Sequence, residues 1–238
     1  SRQMVLPGWG QELQARLATR SALVLGCGAL GSHVASHLAR AGIGRLVLAD
    51  RDVVELHNLP RQALYDEAHV EAAIPKAVAA ARRLREVNSL VQVEPRVMDV
   101  NADNIEGLIS DVDVVLDGAD NFELRYLLNE ACVKLGRPWV YAGVLGTYGM
   151  TAAIIPGETA CLRCLFGPLP APGTVPTCET AGVLGPAVAM VAALETTEGL
   201  KILLDEPGAL LRRLVMVDVW HGDLALAELR GPEADCPV

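Results

Sequence analysis

The chain has 238 residues, 51% hydrophobic and 21% charged, long enough to bury a sizeable core and too apolar for a disordered polymer. Its 20 basic and 29 acidic residues leave a net charge of −9 with no run of five like charges, which disfavours nucleic acid as the main partner. The least charged long stretch, 182–194, has 13 residues and contains Pro186, short of the ~20 that a membrane span needs, and no apolar segment of a secretory signal follows Ser1. A cytoplasmic protein is expected, without nucleic acid or membrane as a partner.

In chain order, apolar β-branched runs alternate with segments of helical period over the first 140 or so residues, the rhythm of βαβ units. Strands are predicted at 22–25, 46–49, 91–97, 112–116 and 139–142, nearly all apolar because a parallel sheet is covered on both faces. Helices are predicted at 11–19, 30–41, 76–87, 102–110 and 122–135, the last capped by Asp120 and Asn121 and closed by Gly136. Right-handed crossovers then give an α/β, Rossmann-like doubly wound sheet. After Gly143 the pattern changes: 148–155 reads as a hairpin or antiparallel strand, and 156–176 as one long proline-rich loop. A helix over 184–204 follows, then closing strands at 214–219 and 223–229 and a polar tail. No linker divides the chain, so 1–238 is expected as one domain: a nucleotide-binding half, 1–143, and a second part, 144–238.

Gly26, Gly28 and Gly31 spell GxGxxG between a predicted strand and a predicted helix. The first glycine permits the tight turn, the second lets phosphate approach the backbone, and the third lets helix and strand pack closely, with helix N-terminal N–H groups facing the anion. Asp50, 19 residues past Gly31, closes the second strand where a Rossmann unit hydrogen-bonds ribose hydroxyls. These features fit NAD and ATP alike. Downstream, Asn58, Leu59, Pro60, Arg61 and Gln62 form NLxRQ, and Lys76 opens a helix. A lone Arg or Lys is ordinarily a solvated surface charge; two cations and an amide near phosphates suit a triphosphate whose α-phosphoryl is transferred, because positive charge offsets the pyrophosphate leaving group. Asp120 and Asn121 follow a strand, with Arg125 and Asn129 spaced by four along one helix face.

The cysteines add a second signal. Cys161 and Cys164 form a CxxC knuckle, and Cys236-Pro237-Val238 supplies the first three residues of another. Cys178 lies near the start of the long helix, where a thiol pKa is lowered, and is a candidate second nucleophile. Cys27 and Cys132 read as small packing residues. His33 and His37, one turn apart without a third ligand, read as surface or packing residues rather than a metal pair.

Taken in order, GxGxxG, Asp50, NLxRQ, Lys76, DNxxxRxxxN and the CxxC resemble the ThiF/MoeB family, adenylyltransferases that activate ubiquitin-like sulfur carriers, from Arg2 to Cys236. The resemblance implies ATP and Mg²⁺: Asp50 on the ribose, Asn58, Arg61 and Lys76 on the triphosphate with Gln62 and Asn121 beside them, and Asp120 carrying Mg²⁺ or orienting the reacting phosphate. It implies a structural Zn²⁺ on two CxxC pairs, here Cys161, Cys164 and Cys236, with the fourth ligand expected at the residue after Val238. Arg2 matches an arginine that reaches into the neighbouring subunit's site, which implies a homodimer. The implied reaction is adenylation of the C-terminal glycine of a small carrier ending in Gly-Gly, with release of pyrophosphate, ahead of thiocarboxylate formation. A sulfurtransferase or cysteine desulfurase is a further candidate partner. A carboxylate that attacks phosphorus is already ionised at pH 7, so no general base is needed. The rivals are an NAD-linked oxidoreductase, a related dehydratase of a modified tRNA base, and an inactive partner subunit.

Overall fold

The computed structural model describes residues 2–171, 173–174 and 178–238, apart from the side chains of Cys178 and Glu179. In chain order the elements are α1 (Gly10–Leu17), β1 (Ser21–Leu25), α2 (Ala29–Ala41), β2 (Arg45–Asp50), α3 (Glu67–Glu71), α4 (Lys76–Val87), β3 (Gln92–Val97), α5 (Ile105–Ser110), β4 (Val114–Asp117), α6 (Phe122–Lys134) and β5 (Trp139–Leu145). Then come β6 (Tyr148–Ile154), α7 (Leu162–Phe166), α8 (Cys178–Ala181), α9 (Gly185–Leu203), β7 (Arg213–Asp218) and β8 (Asp223–Glu228). Short 3-10 turns cover Arg2–Val5, Leu56–Asn58 and Pro207–Ala209.

One eight-stranded sheet in the order β3-β2-β1-β4-β5-β6-β7-β8 runs through both parts of the chain. The first five strands in that order are parallel, with Ala22 opposite Leu46 on one side and Val114 on the other; β5 to β8 are antiparallel. The expected doubly wound sheet with antiparallel strands added C-terminally is therefore what forms. Both faces of the parallel part are covered. Ala22 and Val24 of β1 join a core with Val34 and Leu38 of α2, Leu84 of α4, and Val188 and Val191 of α9. Leu23 and Leu25 point the other way, to Ile105 and Ile109 of α5, Leu128 of α6 and the fully buried Trp139. Each such aliphatic side chain contributes roughly 1.5–3 kcal/mol on burial. Pro95 sits in β3, at the sheet edge, where its missing N–H costs no ladder bond.

Several boundaries differ from the sequence reading, for local reasons. The helix predicted from 102 starts at Ile105 because the Asn101 and Asn104 side chains hold the preceding turn, accepting from Asp103 N at 3.0 Å and Asn101 N at 3.0 Å. The stretch 156–176, read as one loop, contains α7, and the loop before Lys76 contains α3, opened by an Asp66/His69 capping box. Among the described residues no helix is long and apolar enough to cross a membrane.

Candidate functional site

The strand order reverses between β1 and β4, the place where open α/β sheets bind ligands beyond the carboxyl ends of the strands. Two backbones touch there. A Cβ added to Gly26, which has φ of 90°, would lie 2.3 Å from Gly118 O, and one added to Gly118 would lie 2.2 Å from Gly26 O. A Cβ on Gly31 would fall 1.8 Å from Gly26 O, so α2 starts directly against the turn after β1. Gly28 by contrast faces open space, with only the Gln62 amide nitrogen 3.8 Å from a would-be Cβ. The first N–H groups of α2, which lack intrahelical acceptors, thus surround an unobstructed glycine, the arrangement that receives a phosphate.

Asp50 braces this loop: Oδ2 accepts from Cys27 N at 2.6 Å and Oδ1 from Asp52 N at 2.7 Å. Burial pushes its pKa up, against the pull of those two N–H groups and of Lys76. Lys76 is buried at the start of α4, donating from Nζ to Asp52 Oδ2 at 2.9 Å and from its backbone N–H to Asp52 O at 2.8 Å. Lys76, expected to face the triphosphate, is one half of an ion pair beside the loop rather than a solvated surface charge. Tyr65 donates to Cys27 O at 2.7 Å, and Ala63 N donates to Ser32 Oγ at 3.1 Å, so the NLxRQ segment is strapped to α2. Within it Asn58 and Gln62 are buried, and Gln62 Oε1 has no hydrogen-bond partner among the described residues. Arg61 is half-buried and donates to His57 O at 2.7 Å. Gly185, opening α9, presses on this segment: a Cβ there would lie 2.8 Å from Pro60 O.

Asp120 is exposed just beyond β4, accepting from the Asn121 amide at 3.0 Å, while Asn121 caps α6 by accepting from Leu124 N at 2.8 Å. Arg125 and Asn129 do share a side of α6, but both are buried rather than turned to an open site. Arg125 pairs with the fully buried Asp117 at 2.9 Å, and Asn129 Oδ1 accepts from Leu162 N at 2.8 Å. The sequence reading did not single out Glu195, which follows directly on the uncharged stretch 182–194 and is fully buried in α9, with neither carboxyl oxygen in a well-formed hydrogen bond among the described residues.

The α6 hydrogen bond sets the start of α7 and with it the cysteines. Cys161 Sγ lies 3.7 Å from Cys164 Sγ and 3.6 Å from Cys236 Sγ. A zinc tetrahedron with bonds of about 2.3 Å has sulfur–sulfur edges of about 3.8 Å, close to the two distances from Cys161, and the Cys164 and Cys236 sulfurs lie within 4.8 Å of each other. They are the one group of at least three metal-ligating side chains found among the described residues. Ala160 N to Arg230 O at 2.7 Å brings the tail alongside. Cys27 and Cys132 are buried packing residues as expected, and burial lowers the pKa of half-buried His33 and His37. Cys178 opens α8, and its side chain lies outside the described part. Arg2 is exposed on the first 3-10 turn, whose Gln3 donates to Ala41 O at 3.3 Å at the far end of α2. The 13 residues of α2 put that end ~20 Å from the chain's own glycine loop.

The ThiF family model matches residues 1–238. The sulfur carrier protein ThiS adenylyltransferase of Bacillus subtilis is 48% identical over 223 residues, covering 94% of this chain and 65% of that protein. The sulfur carrier protein adenylyltransferase of Thermus thermophilus is 40% identical, covering all of this chain and 88% of that protein. Among solved structures, Escherichia coli MccB with ATP superposes with a TM-score of 0.81 at 24% identity, over 95% of this chain and 68% of that one. That likeness concerns the fold.

Proposed function

The chain belongs to the ThiF family, and from that premise we propose that it is an ATP-dependent adenylyltransferase, acting as one adenylation domain on the C-terminal glycine of a small ubiquitin-like sulfur carrier. The observation that carries this reading is the meeting, at the β1/β4 reversal, of the open Gly28 backbone, Asp50, the Lys76 end of α4 and the Asp120 turn. In it the α2 N-terminus receives phosphate oxygens, Asp50 takes the ribose with lone pairs left after bracing the loop, and Asn58, Arg61, Gln62 and Lys76 face the triphosphate. The carrier's terminal carboxylate attacks the α-phosphorus, the bond to the bridging oxygen breaks, and pyrophosphate leaves with the electron pair. Positive charge aimed at the developing charge is the chief means of acceleration. Mg²⁺ held by Asp120, with Asn121 beside it, would neutralise part of that charge. Lys76 reaches the phosphates by exchanging Asp52 for them.

Three thiols this close together fit Zn²⁺, and the metal's part is to pin the tail to α7 rather than to do chemistry. Arg2, too far from its own glycine loop, acts on a partner's site in a two-fold homodimer. Cys178 is a candidate second nucleophile at the lip of α9. A rival NAD-linked oxidoreductase leaves Lys76 and the cysteines without a role.

The test is carrier-stimulated exchange of pyrophosphate into ATP, using a carrier with a terminal Gly-Gly. The wild-type chain is expected to catalyse it, and Asp120→Ala to bind ATP yet lose exchange by at least about a hundredfold. Exchange at near wild-type rate in Asp120→Ala overturns the role given to Asp120; no carrier-dependent exchange at all overturns the function.

A further inference from the structure

We infer that Arg125 is a positioning residue of the site: through its pairing with Asp117 it locks the turn 117–120 and so aims the Asp120 carboxylate, an inference that rests on the part given above to Asp120. Asp117 ends β4, and its carboxylate is used up by backbone and guanidinium donors: Oδ1 accepts from Ala119 N at 2.9 Å, and Oδ2 from Arg125 Nε at 2.9 Å and Ala142 N at 3.4 Å. The other arm of Arg125 returns to the same turn. Nη2 donates to Ala119 O at 2.7 Å and to Ala142 O at 2.9 Å, at β5. Ala119, the residue immediately before Asp120, is therefore gripped at both its N–H and its C=O, and the turn is tied across β4 and β5 at once.

Arg125 acts only through these partners. It is 8% exposed, and its guanidinium carbon lies over the Phe122 and Tyr141 rings, 5.7 Å from the centre of each. The turn has no slack on its opposite side either, because Gly118 rests on Gly26 O without room for a Cβ. A shift in Ala119 would move the Asp120 carboxylate, while the contact with the glycine loop is made by Gly118. The grip needs a planar fork: a lysine ammonium keeps the charge opposite Asp117 but, as a single point, cannot serve Asp117, Ala119 O and Ala142 O from two directions.

Arg125→Lys is accordingly the variant of choice, since it keeps the buried Asp117 compensated where Arg125→Gln would leave it unpaired. A misplacement on the order of 1 Å costs about a hundredfold in rate. Carrier-dependent exchange by Arg125→Lys is expected to show kcat reduced about a hundredfold, KM for ATP within about threefold of wild type, and little further loss on adding Asp120→Ala. Hydrogen exchange at the Ala119 amide is expected to speed up at least tenfold in the folded variant. Unchanged kcat, or protection of Ala119 retained while kcat falls, overturns the inference. Additive loss with Asp120→Ala overturns it as well. If the wild-type chain shows no carrier-dependent exchange, the functional reading fails, while the Ala119 amide still decides the clamp: lost protection supports it and kept protection overturns it.

Discussion

Replacing Glu195 with glutamine should make the protein more stable, increasingly so as the pH rises. The Glu195 side chain is 0% exposed, and neither carboxyl oxygen has a well-formed hydrogen bond among the described residues. Burial, and after it the nearby Asp117 carboxylate, push its pKa well above the ordinary glutamate value, against the pull of the Asp117 backbone N–H and of Arg125. Arg125 is committed to Asp117 at 2.9 Å, so Glu195 is the member of this group that stays neutral. An acid that is neutral when folded and ionised when unfolded makes the folded chain the one that binds more protons. The stability is then fully present below the unfolded pKa of about 4.3 and lost as pH rises toward the folded value. The loss is about 1.4 kcal/mol per pH unit over that window. Glutamine keeps the shape and removes the titration. Unfolding by heat or urea at pH 5, 6 and 7 should therefore show the two proteins within about 1 kcal/mol at pH 5, apart from a constant offset, and diverging above it by up to about 1.4 kcal/mol per unit. For a chain of this length that is roughly 3–6 °C in Tm per pH unit. Parallel pH profiles would refute the reasoning, because they would mean that Glu195 is ionised and compensated in the fold.

Elemental analysis of reduced, full-length protein is expected to give about one zinc per chain, lost in Cys164→Ser together with several degrees of Tm; a metal-free wild type would remove the structural role assigned to the thiols. Co-expression of Arg2→Ala with Asp120→Ala should restore about a quarter of wild-type exchange from two nearly inactive parents, since half of randomly paired dimers are mixed and each mixed dimer has one intact site. Activity no higher than the parents' mean would place Arg2 in its own site. Gly118→Ala, whose methyl would meet Gly26 O at 2.2 Å, should cost about 3 kcal/mol or more and weaken ATP binding, read by denaturant unfolding and calorimetry; a neutral effect would mean that the two turns are not in contact.

The parallel half of the sheet was legible because Leu23, Val24, Leu46, Leu48 and Val115 are buried whichever face they point to, which makes their strands continuous apolar runs. The glycine loop was legible because strand, turn and helix fix its context. The five-residue helices α3 and α7 were not, since so short a segment completes too few turns to display a period. Nor was the pairing of Lys76 with Asp52, or the double duty of Asp50: spacing identifies which residues reach one end of a sheet, while the partner each finds there depends on burial. Arg125 shows the same gap. Its place in DNxxxRxxxN was visible, but its turn inward to Asp117 became apparent only with β4 and β5 side by side.

The central strand β1 has one further consequence, in time rather than in space. Ala22 pairs with Val114, 92 positions further along the chain, and the face that carries Val24, packed on α2 and α4, is completed only when α9 at Gly185–Leu203 arrives. At synthesis rates of roughly 5–20 residues per second, β1, β2 and β3 emerge several seconds before β4 can join them, and longer still before α9 arrives. Through that interval β1 presents a bare edge, and the face of Leu23 and Leu25 lacks the α5 and α6 side chains that cover it in the finished fold. Contacts so distant in sequence also make the final docking intrinsically slow. The nascent chain is therefore most exposed to misassociation when most of its future nucleotide-binding surface has been made but none of it is yet held in place.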